Sequence, residues 1–94
     1  MTPATLFTCV ALFMGNANAV PPIVHTSLQA FNTVCDSTGK ASYSCAYAGQ
    51  VFMHPSYDFA SVGWRRKLAH EYAHVLGASE KQAQQVETTS GCEN

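Results

Sequence analysis

The spacing of apolar residues changes along this chain, and each change marks a different predicted element. Residues 6–15, L-F-T-C-V-A-L-F-M-G, form an almost unbroken apolar run. Leu28, Phe31, Val34 and Cys35 then recur at helical spacing behind Ser27, a good N-cap, which predicts a short amphipathic helix. Asp36 to Lys40 reads as the turn that ends it. Tyr43, Cys45 and Tyr47 alternate with Ser44 and Ala46, the period of a half-buried strand, and Val51 to His54 is a second β-capable run stopped by Pro55. Together they predict a small antiparallel hairpin, although Ala48-Gly49-Gln50 is a weak turn signal. From residue 64 to 76 the period is helical again. Trp64, Leu68, Glu71 and Val75 share one edge of that helix, and Ala69, Ala73 and Leu76 share another. Ser61 or Asp58 can cap its start, and Gly77 suits the left-handed turn at its end. Ser79 and Gln82 then form a capping box for a second helix over residues 80–88, with Ala83 and Val86 facing inward. The expected fold is a small α+β domain: a short N-terminal helix, a hairpin, a longer helix and a short C-terminal helix.

The first apolar run is too short for a standard membrane span. It has the size of a signal-peptide core, and Ala17-Asn18-Ala19 offers the small residues that a signal peptidase reads. This divides the chain into a signal peptide, residues 1–19, and one small domain, residues 20–94. A buried N-terminal helix or a disordered tail is the alternative for the same run. A domain this short buries a modest core and often needs a staple. Outside the leader, Cys35, Cys45 and Cys92 leave one disulfide and one thiol that is free or bonded to another molecule. Cys35–Cys45, Cys35–Cys92 and Cys45–Cys92 all remain open. The expected location is an oxidising one, extracellular or periplasmic. A formal net charge of −1 gives no reason to expect nucleic acid or an anionic membrane as partner.

The chemistry concentrates in W-R-R-K-L-A-H-E-Y-A-H-V-L-G-A-S-E, residues 64–80. On a helix, His70 and His74 lie one turn apart on one face, where both imidazoles can reach one ion. Glu71, beside the first histidine, is free of the ligand set and can act as general base toward an attacking water. Two imidazoles and one carboxylate would leave a tetrahedral Zn2+ one open position. Glu80 is the first choice for that carboxylate, since the Gly77 turn can swing it back under the helix. Glu87, His54 and His25 are the reserves, with Glu87 disfavoured because little chain separates it from His74. Tyr57 and Tyr72 are candidates for stabilising an oxyanion, although Tyr72 sits away from the ligand face. Arg65, Arg66 and Lys67 read as a solvated face, with docking of a substrate carboxylate as the lesser alternative.

The string H-E-Y-A-H-V-L-G-A-S-E resembles the metzincin signature H-E-x-x-H-x-x-G-x-x-H/D of zinc endopeptidases. His70 and His74 stand at its first two ligand positions, Glu71 at the general base and Gly77 at the family glycine. Glu80 stands at the third ligand, where the family has His or, in the snapalysin-like branch, Asp. The resemblance implies a secreted peptidase that cleaves protein substrates, with the strand before the helix, here Val51 to His54, lying along the substrate. S-E-K-Q-A-Q-Q-V is also similar to the E-x-x-A-D helix of gluzincin-type peptidases, with Gln84 at the Asp position, and it keeps Glu80 as ligand. Metzincins place a methionine turn beneath the metal, and this chain has no methionine after Met53. That departure keeps a second reading open, a catalytically inactive zinc-binding or interaction protein that retains the H-E-x-x-H helix.

Overall fold

The structure is a computed structural model that describes residues 1–35 and 43–94. Its elements are α1 (Pro3–Phe13), β1 (Val24–His25), α2 (Leu28–Cys35), β2 (Ser44–Tyr47), β3 (Gln50–Met53), α3 (Val62–Val75) and α4 (Glu80–Thr89). The predicted turn over Asp36 to Lys40 lies outside the described residues.

Three strands form one sheet in the order β1-β3-β2. β2 and β3 are the predicted antiparallel hairpin, paired from Ser44 opposite Met53 to Tyr47 opposite Gln50. Ala48 and Gly49 both take positive φ, 53° and 74°, so a two-residue turn of the primed kind closes it. Alanine is unusual there, which is why the pattern gave a weak turn signal. β1 is an addition to the expected architecture: a short parallel strand that pairs Val24 with Val51 and His25 with Phe52.

Alternation along β3 divides the core between the two faces of the sheet. Val51 and Met53 join the larger cluster with Leu68, Ala69, Tyr72 and Ala73 of α3 and Ala83 and Val86 of α4. Phe52 points the other way and packs with Phe31 and Cys35 of α2 and with Cys45. β3 is therefore buried on both sides, and β2 is left at an edge.

The apolar run at the start of the chain forms α1. Thr2 caps it, Pro3 begins it, and Leu6, Phe7, Val10 and Ala11 are buried in the larger cluster. Phe7 meets the ring of Tyr72 edge-on, with centroids 5.0 Å apart. Cys9 on α1 is bonded to Cys92, and Cys35 is bonded to Cys45. All four cysteines of the full chain are thus paired within it, whereas the leftover or intermolecular thiol was expected of residues 20–94 alone. That expectation followed from counting only residues 20–94. Cleavage before Val20 would remove α1 from this fold and separate Cys92 from its partner.

The C-terminal end is also tied down by charge. Arg65 donates from Nε to the Glu93 carbonyl at 2.6 Å and from Nη1 to the Phe59 carbonyl at 2.8 Å, while Arg66 pairs with the Glu93 carboxylate at 3.5 Å. Two of the three basic residues read as a solvated face therefore clamp the tail.

Candidate metal centre

α3 carries its histidines at the end of a helix that is apolar where it meets the core. Ser61 is its N-cap, with extended backbone but no side-chain cap bond. At the other end the Gly77 N–H donates to the His74 carbonyl at 3.0 Å and the Ala78 N–H to the Ala73 carbonyl at 2.9 Å. This is a Schellman turn, and Gly77 supplies its left-handed residue at φ 96°. Ser79 starts α4 immediately: its hydroxyl accepts from the Gln82 N–H at 3.2 Å, and its own N–H donates to Gln82 Oε1 at 2.9 Å. The capping box fixes Glu80 in the first turn of α4, facing back toward α3.

His70, His74 and Glu80 consequently converge, with one donor atom from each lying within 4.8 Å of the others. The two Nε2 atoms are 3.2 Å apart. Glu80 Oε1 is 2.7 Å from His70 Nε2, and Oε2 is 3.3 Å from His74 Nε2. A tetrahedral ion with bonds of about 2.0–2.2 Å has ligand–ligand edges of about 3.3–3.6 Å, so these donors need only small adjustments to hold one.

The opposite sides of both rings are already engaged. His74 Nδ1 faces the Ala78 carbonyl at 3.0 Å, and a carbonyl can only accept. His70 Nδ1 hydrogen-bonds the carboxylate of Glu87. These partners place the proton of each neutral ring on Nδ1 and turn both Nε2 lone pairs toward the Glu80 carboxylate. Three acceptors that face one another need a cation between them or a proton on one of them. The cluster has the geometry of a divalent-metal site.

Glu71 lies in the same cleft, 7% exposed, and accepts a hydrogen bond on Oε2 from the Ser44 hydroxyl at 2.7 Å. Burial pushes its carboxyl above the usual carboxylate range. The Ser44 bond and, wherever they carry a proton on both nitrogens, the imidazoles of His70 and His74 pull it down, and Glu80 pushes it up again. The cleft encloses about 500 Å³ between β2 with its turn and the facing sides of α3 and α4; Lys67 and Tyr47 also line it.

Several sequence expectations change here. Glu87 comes to the site despite the short connection, because α4 runs back along α3, and it meets the far side of His70. His25 and His54 do not join the cluster. His25 stacks on Phe52 and bonds Gln50, while His54 holds Ser56 and stands edge-on to the rings of Phe31 and Tyr43. Tyr72 is buried against Phe7, and Tyr57 packs with Phe59 and Trp64, so neither phenol lines the cleft. The strand beside the metal cluster is β2, since β3 is enclosed by β1 and β2. Ser44 carried no signal in the sequence beyond its place in an alternating strand. Glu87 did carry one: it follows Glu80 by two helical turns and shares its face.

Compared with known proteins, the chain matches no family model, no curated protein and no solved structure. The spacing of His70, Glu71, His74 and Glu80 matches that of zincin peptidases, and the helix and turn present it in one cleft.

Proposed function

We propose that this chain is a secreted zinc-dependent endopeptidase in which His70, His74 and Glu80 hold the metal and Glu71 is the general base. The observation that carries this reading is the joint arrangement of three convergent donors, each histidine tied through its other nitrogen, with a buried carboxylate in the same cleft. A purely structural metal site has no use for Glu71. Bound zinc would supply Lewis acidity, lowering the pKa of a water and polarising a substrate carbonyl.

The chain's own residues would do the rest. Glu71 takes the proton of the attacking water and delivers it to the leaving amine. Among the described residues β2 lies at an edge of the sheet, where its backbone N–H and C=O groups would suit an extended peptide, which favours unfolded protein substrates. The Cys35–Cys45 disulfide, which lies wholly outside residues 1–19, supports an oxidising compartment. No helix among the described residues is long and apolar enough to cross a membrane. Cleavage of residues 1–19 as a signal peptide belongs to the same proposal.

The test is zinc content of the disulfide-intact protein, with cleavage of an unfolded protein, for the wild type, Glu80→Ala and Glu71→Gln. The expected result is one zinc in the wild type, weakened in Glu80→Ala, with Glu71→Gln keeping metal and losing cleavage. Zinc without cleavage in the wild type would establish the inactive zinc-binding reading instead. Absence of zinc binding would end both.

A further inference from the structure

Ser44 is the first residue of β2 and only 8% exposed, yet it is polar at a position facing the helical side of the sheet. Strand alternation explains the direction. Cys45 points to α2, where it is bonded to Cys35, so Ser44 points the opposite way, toward α3. Its backbone is held by pairing opposite the buried Met53 and by the neighbouring disulfide. The hydroxyl proton therefore has a defined place, and it is donated to Glu71 Oε2 at 2.7 Å.

The terminal torsion of a glutamate is broad, so burial alone does not orient the carboxylate plane. A single donor fixed to a strand does. With Oε2 engaged by Ser44, Oε1 is the oxygen left for the cleft. We propose that Ser44 is a positioning residue that orients the Glu71 carboxylate for proton transfer. This rests on the peptidase reading of the cleft. The bond also links the base to β2, the strand that lines that cleft, so one element would position both substrate and base.

The experiment compares Ser44→Thr with Ser44→Val, a pair nearly equal in volume that differs in the hydroxyl. Zinc content and thermal midpoint are measured for both, then kcat and KM on an unfolded protein substrate. Ser44→Thr should keep kcat within a few-fold of the wild type, and Ser44→Val should lose on the order of tenfold to a hundredfold in kcat with KM and zinc content little changed. In the Glu71→Gln background the two variants should be equally slow, because residues acting as a unit are not additive. A second readout needs neither metal nor substrate. The 13C carboxyl signal of Glu71, assigned by its loss in Glu71→Gln, should move in Ser44→Val and stay near its wild-type position in Ser44→Thr. An active wild type with equal kcat in Thr and Val variants would overturn the role of Ser44 alone. An inert, zinc-loaded wild type would overturn the peptidase reading and the positioning role with it, even with the carboxyl signal responding as expected.

Discussion

Glu87 on α4 hydrogen-bonds Nδ1 of His70 on α3, while Glu80, two turns earlier on α4, faces Nε2 of the same ring at 2.7 Å. One helix thus presents a carboxylate to each side of one imidazole. The outer carboxylate holds ring orientation and tautomer, leaving Nε2 toward Glu80. Glu80, the first choice for the third ligand, and Glu87, a disfavoured reserve, therefore meet opposite nitrogens of His70.

Removing the outer carboxylate should weaken zinc binding without abolishing it. Glu87→Gln and Glu87→Ala are expected to lose roughly tenfold to a hundredfold in affinity, and Glu80→Ala more. Competition against a chelator of known affinity measures both. The reverse ranking would make Glu87 the ligand.

Gly77→Ala tests the turn that places both Ala78 and Glu80. At φ 96° an alanine is strained, by about 1–2 kcal/mol. Among the described residues nothing lies within 4 Å of an added Cβ, so the cost there is one of backbone and not of space. Because the same turn brings the Ala78 carbonyl to His74, zinc affinity should fall together with stability. Denaturant unfolding and zinc titration of the variant check the two effects.

The two disulfides should differ in weight. Their sequence separations of 83 and 10 correspond, in the chain-entropy account, to about 4.5 kcal/mol for Cys9–Cys92 and about 2.7 kcal/mol for Cys35–Cys45. Urea unfolding of the paired Cys→Ala variants reads the difference. A chain starting at Val20 should be less stable than the full chain by more than the disulfide alone, because Leu6, Phe7, Val10 and Ala11 leave the core with it. It should also carry one reactive thiol at Cys92. Intact mass and thiol count of the isolated protein distinguish the two forms.

Tyr57 is predicted to be dispensable. Its hydroxyl is buried and has no hydrogen-bond partner among the described residues, so Tyr57→Phe should be neutral or stabilising by up to about 1 kcal/mol. Burial and the charge of Asp58 push its phenol up to about 12. The unfolded phenol ionises near about pH 10, so the Tyr57 contribution is fully present below that pH and is lost as pH rises through about 12. Tyr57→Phe should flatten the alkaline fall in stability over this window, measured by unfolding at stepped pH. Tyr72 is also raised by burial and will leave a remaining slope.

The local parts of the site were legible because local geometry makes them. The i,i+4 spacing of His70 and His74 sets their shared face whatever the rest of the fold does. Gly77, Ser79 and Gln82 specify one stop and one start within a few residues, and so bring Glu80 back to the histidines. The α2 boundary, the hairpin strands and the inward face of α4 followed from periodicity in the same way.

By itself the sequence determined α2, the hairpin, α3, α4 and the spacing of the four motif residues, since each depends on contacts between near neighbours. Tertiary structure decided which edges and carboxylates meet. Only the sheet order puts β2 rather than β3 along the cleft, and only the return of α4 brings Glu87 to His70. The Ser44 bond to Glu71 joins residues far apart in the chain, as do the Cys9–Cys92 bond and the packing of Phe7 on Tyr72. Such contacts depend on how elements stack to bury their apolar faces, and no periodicity within a single element records that.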